Sequence, residues 1–390
     1  LDACERLLKA AIGVTVWAKA ASSARLDGIG HYSQELFSAL APEVQQRVPV
    51  AFGRLSRDTI QGIPIRRFSR YDVMSLVAGT TGYAFRSVQK GLHDVDLFHA
   101  TDHLTPKLSG LPVVATLMDA IPLSHPHWVN QHLRMLKNWL WRASGQWADH
   151  VVTISEFSKR EISHHFGIPE SKISVTPLGV DARYFERFTD SETDAVVAKY
   201  RLPEQYFLFV GTLQPRKNVE RLLDAHAALP PALQRSVPLL VVGHHGWGCE
   251  SLVNRLKAHG EGVSGEGGSV RWFQNVTDLE KRVMLQRSTA LVFPSLLEGF
   301  GLPVLEGFAS QTPVITSNTT SLPEVAADAA WLVNPLSVPD LTQAMADLAT
   351  QSSLREQFVS RGLIRARQFT WESCAAATVQ VYKTVLNGGA

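Results

Sequence analysis

Short, unbroken apolar runs separated by longer amphipathic stretches restrict this chain more than any other feature. IGVTVWA, VDLFHAT, PVVATLMD, HVVTISEF and KISVTPLGVD are strand-length runs rich in β-branched residues. Helical periodicities such as GHYSQELFSAL and QHLRMLKNWLWRASGQWA lie between them. A strand without polar alternation is covered on both faces, and alternating strands and helices supply that cover around a parallel sheet. The pattern breaks in polar GVDARYFERFTDSETDAVVAKYRLPEQ and then restarts with YFLFVGT, PLLVVGH, VRWFQN, ALVFPS and PVITSN, again interleaved with helices. The expected fold is α/β, with two Rossmann-like domains facing each other across a cleft. The split falls near Asp181 to Pro203, giving domains over 1–183 and 184–370.

Composition removes several alternatives. In 390 residues, 45% are hydrophobic and 19% charged, which is enough apolar material for two cores. A net charge of +2 without dense Lys/Arg blocks gives no basis for nucleic-acid binding. Cys4, Cys249 and Cys374 are far apart and form no metal-ligand spacing, so a reducing, cytoplasmic setting is expected. No apolar run is long enough to span a bilayer, and no secretory leader is legible. GEGVSGEGGS is expected to be a small surface loop.

Ligands of parallel sheets sit at the carboxyl ends of the strands, so the loops there matter most. EGFGLPVLE, Glu298 to Glu306, follows the strand ALVFPS. Pro303 fits a first helical position, and the amides of Gly301, Leu302, Val304 and Leu305 would form an anion site suited to a diphosphate. Glu298 and Glu306 would accept hydrogen bonds from sugar and ribose hydroxyls on either side. The plainer alternative is a solvated Glu298 and a Glu306 that complements the helix dipole. In FLFVGTLQPRKNVERLL, Arg216 and Lys217 precede a helix and again suit phosphate, or else form a solvated pair at a loop tip. Gly28, Ile29 and Gly30 would let backbone approach a ligand, or form a structural turn.

These segments resemble the family 4 glycosyltransferases, which have the two-domain GT-B fold. GIGHY, TISEFSKREI, GTLQPRKNVERLL, VVGHHGWG and PSLLEGFGLPVLEGFASQTPVITSNTTSLPEVAADAAWLVNP carry the resemblance, which extends from about Ile12 to the last helix. The Gly243-to-Trp247 element is similar to bacterial mannosyl- and rhamnosyltransferases that build surface polysaccharides. The resemblance implies that Glu298 contacts the transferred sugar, helped by the backbone of Phe300 and Gly301, and that Glu306 holds the ribose. Arg216 and Lys217 would clamp the diphosphate near Gly211. Gly28 to Gly30 would close over the phosphates, and Gly243, Asn275 and Val276 would lie at the base. The helix over 371–387 would pack back on the first domain. Many relatives carry a histidine where this chain has Met118, so that role does not transfer; Asp119 beside it is the better candidate. His99, Asp102 and His103 in FHATDH are candidates for acceptor or sugar binding, against core packing or surface placement.

The expected activity is retaining transfer of a hexose, mannose from GDP-mannose first, to a saccharide or lipid-linked saccharide in bacterial polysaccharide or lipopolysaccharide synthesis. The alternatives are another nucleotide-linked hexose or deoxyhexose donor such as rhamnose, or an epimerase or hydrolase on the same fold. A dinucleotide dehydrogenase is disfavoured because GIGHYS lacks the third glycine of the fingerprint. Asp94-Val95-Asp96 precedes a strand, the wrong end for a ligand, and reads as a surface turn. With Arg216 and Lys217 available, no metal or other cofactor is expected. Arg134, Lys137 and Arg142 with Trp139, Trp141 and Trp147 mark a helix that either packs its tryptophans or touches the inner membrane face.

Overall fold

The computed structural model describes residues 8–20, 26–42, 44–128, 132–258 and 268–388. Cys4, Gln131 at the expected start of the tryptophan-rich helix, and most of the GEGVSGEGGS loop lie outside them. The chain divides into two compact units, one of 1–126, 131–179 and 370–390, the other of 127–130 and 180–369.

The first unit carries β1 (Lys9–Gly13), β2 (Gln46–Phe52), β3 (Thr59–Ile60), β4 (Ile63–Pro64), β5 (Arg66–Phe68), β6 (Leu97–Ala100), β7 (Val113–Thr116), β8 (His150–Thr153) and β9 (Ile173–Val175). Its helices are α1 (Thr15–Lys19), α2 (Gly28–Ala39), α3 (Tyr71–Thr81), α4 (Arg86–Gly91), α5 (Ile121–Ser124), α6 (Arg134–Gly145) and α7 (Glu156–Phe166). A parallel sheet runs in the order β5-β2-β1-β6-β7-β8-β9, and β3 and β4 form a separate antiparallel pair. The core strands β6 and β7 are buried along their whole length, as their unbroken apolar runs require. The C-terminal helix, Trp371–Leu386, belongs to this unit; Tyr382 and Cys374 are buried, and Trp371 meets Tyr32 with ring centroids 6.2 Å apart.

IGVTVWA is not one strand. Strand β1 ends at Gly13, and Thr15 to Lys19 form α1. Two buried elements in succession read as one apolar run. The turn is fixed by Asp102, whose Oδ2 accepts the Thr15 N–H at 2.5 Å.

The first α-helix of the second unit is α8 (Asp190–Tyr200), which lies within the polar stretch that shows no clear strand pattern. A capping box starts it: Thr189 accepts the Glu192 N–H, and Glu192 accepts the Thr189 N–H. The unit continues with β10 (Phe207–Val210), α9 (Val219–Ala227), α10 (Pro231–Ser236), β11 (Leu239–Val242), α11 (Glu250–Ala258), β12 (Val270–Phe273) and α12 (Asp278–Arg287). After these come β13 (Ala290–Phe293), α13 (Leu302–Ala309), β14 (Val314–Ser317), α14 (Leu322–Ala326), β15 (Trp331–Val333), α15 (Val338–Thr350) and α16 (Ser352–Ala366), and the helix over 371–386 of the first unit is α17. The sheet order is β12-β11-β10-β13-β14-β15, all parallel. Chain order reverses between β10 and β13, and the crevice beyond such a reversal is where open α/β sheets take ligands.

Candidate active site

At that reversal, two loops meet. Beyond β10, Pro215 to Lys217 form a single 3-10 turn before α9. Beyond β13, residues 294–301 lead to α13. The Leu296 N–H donates to the Arg216 carbonyl at 2.7 Å, and Asn218 Nδ2 donates to the Pro294 and Pro335 carbonyls at 3.0 and 2.7 Å. Backbone and Asn218 thus lock the two loops together. Ser321, after β14, donates to the carbonyls of Glu298 and Phe300, each at 2.9 Å, and fixes the second loop from the other side.

The result is a cation–carboxylate cluster. Arg216 Nη1 donates to Glu298 Oε2 at 2.7 Å, and Lys217 Nζ donates to Glu298 Oε1 at 2.6 Å. Arg216 also donates to the Leu297 carbonyl and to Gln214 Oε1, each at 3.1 Å. Lys217 lies 4.6 Å from the centre of the Phe293 ring. Glu298 and Lys217 are both buried. Burial pushes the Glu298 carboxyl up, but Arg216 and Lys217 more than offset it and hold it down to about 2. Burial lowers the Lys217 ammonium despite the opposing pull of Glu298.

Each carboxylate oxygen accepts a hydrogen bond from one of the cations that were expected to hold phosphate, so Glu298 is a buried, ion-paired carboxylate rather than a solvated one. The acid and the two cations are brought together as one group rather than as separate sugar and phosphate contacts.

Around it, Gly301 caps α13 with φ +116°, a left-handed conformation suited to glycine. Leu302 is the first helical residue and Pro303 the second, one position later than expected. The Val304 N–H is engaged by the Gly301 carbonyl at 2.9 Å, which removes one amide from the expected anion site. Phe300 turns its ring into the core against Phe369, leaving only backbone for a ligand. Glu306 is half-buried on α13, 3.5 Å from Lys281 Nζ. Lys281 is a neighbour that sequence reasoning missed, as it did Asn218 and Ser321. The polar run SNTTSLPE after β14 was the available signal for Ser321.

Gly211 and Gly243 serve close backbone approach, since a Cβ on Gly243 would collide with the Gly211 carbonyl. Trp272 Nε1 donates to the Gly243 carbonyl at 2.8 Å. Val276 is buried, and the Asn275 carbonyl accepts from the Tyr200 hydroxyl at 3.4 Å.

In the first unit several candidates are structural. His99 is fully buried, 2.6 Å from the Tyr382 hydroxyl and 2.7 Å from Thr116 Oγ1, and burial lowers it to about 3. It is a neutral core histidine, not a ligand contact. Asp102 is buried and spends Oδ2 on α1. His103 sits in the loop three residues beyond β6 with φ +61°, its ring edge-on to Trp141 and its Nδ1 buried without a hydrogen bond. Asp119 accepts the Ile121 N–H at 3.0 Å and lies within electrostatic reach of His103. Gly28, Ile29 and Gly30 form the first turn of α2. Asp27 accepts the Gly30 N–H at 2.8 Å, which occupies an amide expected to face phosphate. Asp94 is held well below the usual carboxylate range by Arg66 and Lys9, the latter 2.6 Å away, so the D-x-D is an ion-paired turn.

Two parallel-sheet units of this build define the class of GT-B glycosyltransferases. Residues 4–184 match the profile described as Glycosyltransferase Family 4, and residues 190–364 match Glycosyl transferases group 1. Both halves of the chain are thus similar to glycosyltransferase family models, the first half to family 4. It is 36% identical over 234 residues to the O-antigen chain mannosyltransferase B of Escherichia coli, a match covering 60% of this chain and 60% of that protein. It is 27% identical over 242 residues to the serotype-specific mannosyltransferase WbdA of Escherichia coli, covering 61% of this chain but only 29% of that protein. Among solved structures, a sucrose-phosphate synthase from Thermosynechococcus elongatus superposes with TM-score 0.75 at 19% identity, covering 98% of this chain and all of that one. WaaG, a glycosyltransferase involved in lipopolysaccharide biosynthesis, gives TM-score 0.67 at 17% identity, covering 95% of this chain and 99% of that one. At such identities these structures speak to the fold alone.

Proposed function

We propose that the chain transfers a hexose from a nucleotide-diphosphate donor, with GDP-mannose the first candidate, to a saccharide or lipid-linked saccharide acceptor in bacterial polysaccharide or lipopolysaccharide synthesis. The observation that carries this reading is the Arg216–Glu298–Lys217 cluster at the strand-order reversal of the second sheet. The names of the similar mannosyltransferases support the choice of sugar.

Transfer proceeds with retention. The bond from the anomeric carbon to the diphosphate oxygen breaks, and a bond to the acceptor oxygen forms on the same face. The acceptor proton passes to the departing phosphate oxygen. Negative charge grows on that phosphate, and Arg216 and Lys217 stabilise it in a site where burial strengthens the interaction. No divalent ion is required for that charge, so chelation leaves transfer intact.

Glu298 already holds both cations, and on this reading a diphosphate takes its place. The displaced carboxylate then accepts hydrogen bonds from sugar hydroxyls, while Glu306 on α13 takes the ribose. Donor binding and sugar recognition are thereby coupled through one side chain.

A thermal-shift panel of GDP-, UDP-, dTDP- and ADP-linked sugars tests the donor, because a ligand bound by the native state raises the melting temperature. The largest shift is expected with GDP-mannose. No shift with any nucleotide sugar overturns the reading.

A further inference from the structure

We propose that the first unit docks on an anionic lipid bilayer through one face built from α3 and α6. On α3, Val73, Leu76 and Val77 are spaced i, i+3, i+4 and point to solvent, on the side away from buried Ser75 and Ala78. At the start of α6, Leu133, Met135, Leu136 and Trp139 are exposed, Met135 at 89% of its surface. The two helices adjoin, since a Cβ on Gly79 would meet the Trp139 ring at 2.9 Å. Tyr83 extends the same apolar face. Monomer surfaces rarely gather large apolar side chains this densely without an occupant. The tryptophans divide: Trp141 and Trp147 pack against the core, while Trp139 remains 44% exposed.

Charge selects the occupant. Residues 70–92 and 132–148 hold six Lys/Arg and a single acid, whereas the whole chain holds 38 basic and 36 acidic residues. That acid, Asp72, is already paired with Arg70. Lys137 and Arg142 are exposed on α6, and Arg86 and Lys90 on α4. Apolar side chains ringed by cations match a surface whose headgroups are negative and whose interior is hydrocarbon. A cavity of about 530 Å³ between α3 and the start of α4, lined by Val73, Met74, Val77, Tyr83 and Phe85 with Arg86 among them, suits a flexible acyl chain below an anionic headgroup. No helix among the described residues is long and apolar enough to cross a membrane.

The test is flotation of the full chain with phosphatidylcholine vesicles, with and without phosphatidylglycerol, at low and high salt. Two variants accompany it, Val77→Ser/Met135→Ser and Lys137→Glu/Arg142→Glu, with melting temperatures and sedimentation measured without lipid. The wild type is expected to float with the phosphatidylglycerol vesicles and to be released by salt. Each variant should lose binding by roughly tenfold or more while keeping the wild-type melting temperature. Failure to float with either vesicle, or variants that float as well as the wild type, overturns the proposal. So does a lipid-free dimer that Val77→Ser/Met135→Ser dissociates, which would make the face a contact between two copies. Donor binding is unaffected by any of these outcomes.

Discussion

Lys217 Nζ donates to Glu298 Oε1 at 2.6 Å across a turn and a loop that are 81 residues apart in the chain. A buried ammonium and a buried carboxylate neutralise each other here, and Arg216 completes the group from 2.7 Å. The pair keeps the site charged yet folded, and on the proposed function it sets any diphosphate in competition with Glu298.

Replacing Glu298 by Gln removes the competitor. GDP affinity should rise roughly tenfold, about 1.4 kcal/mol, while transfer falls to background. Stability should drop by about 3 kcal/mol, because two cations are left uncompensated. Calorimetric titration with GDP and a transfer assay on the same preparation measure both. Weaker GDP binding in the variant would argue against competition.

Burial pulls the Lys217 ammonium down to about 8, with Glu298 opposing it. Phosphate needs the charged form, so GDP affinity should hold below that pH and fall as pH rises through it, by up to about tenfold per unit. Lys217→Arg keeps its charge and should flatten this alkaline limb. Dissociation constants measured across the range decide the point; identical profiles would remove Lys217 from the phosphate contact.

His99 makes the opposite kind of prediction, one about stability. Its folded value, about 3, lies below the ordinary histidine value of about 6.5. The contribution is fully present above the ordinary value and is lost as pH falls toward the folded one, at about 1.4 kcal/mol per unit. Urea unfolding of His99→Gln should show a shallower loss of stability between those values than the wild type. Transfer activity at neutral pH should be little changed, because His99 touches only Tyr382 and Thr116 among its hydrogen-bond partners.

Gly243→Ala should prevent the second unit from packing correctly. The added methyl would collide with the Gly211 carbonyl, which is backbone and cannot swing aside. Separation of β10 and β11 should cost about 3 kcal/mol, seen as a large fall in melting temperature. A variant with wild-type melting would show that the strands tolerate wider spacing.

The parallel sheets were legible because strands buried on both faces leave unbroken apolar runs, as in FLFV and LLVV. The ends of elements were less so. Thr15 to Lys19 form a helix because Asp102, 87 residues away, caps the turn, and no local pattern announces a partner at that distance. Candidate positions at strand ends were correctly placed for Arg216, Lys217 and Glu298 because loop position follows from the strand pattern. Their mutual pairing did not follow, since it depends on the β10–β13 adjacency that only the fold supplies. His99 illustrates the converse: a polar residue near a strand end looks functional in sequence, yet here both its ring nitrogens are hydrogen-bonded inside the core.

The contact of Arg216 and Lys217 with the diphosphate is tested most directly by comparing GDP with guanosine in a Glu298→Gln background, where no carboxylate is stranded. Adding Arg216→Gln and Lys217→Gln should weaken GDP binding by about a hundredfold, the worth of two charge-assisted hydrogen bonds, and leave guanosine binding unchanged. Equal losses for GDP and guanosine, or no loss for either, would contradict the account.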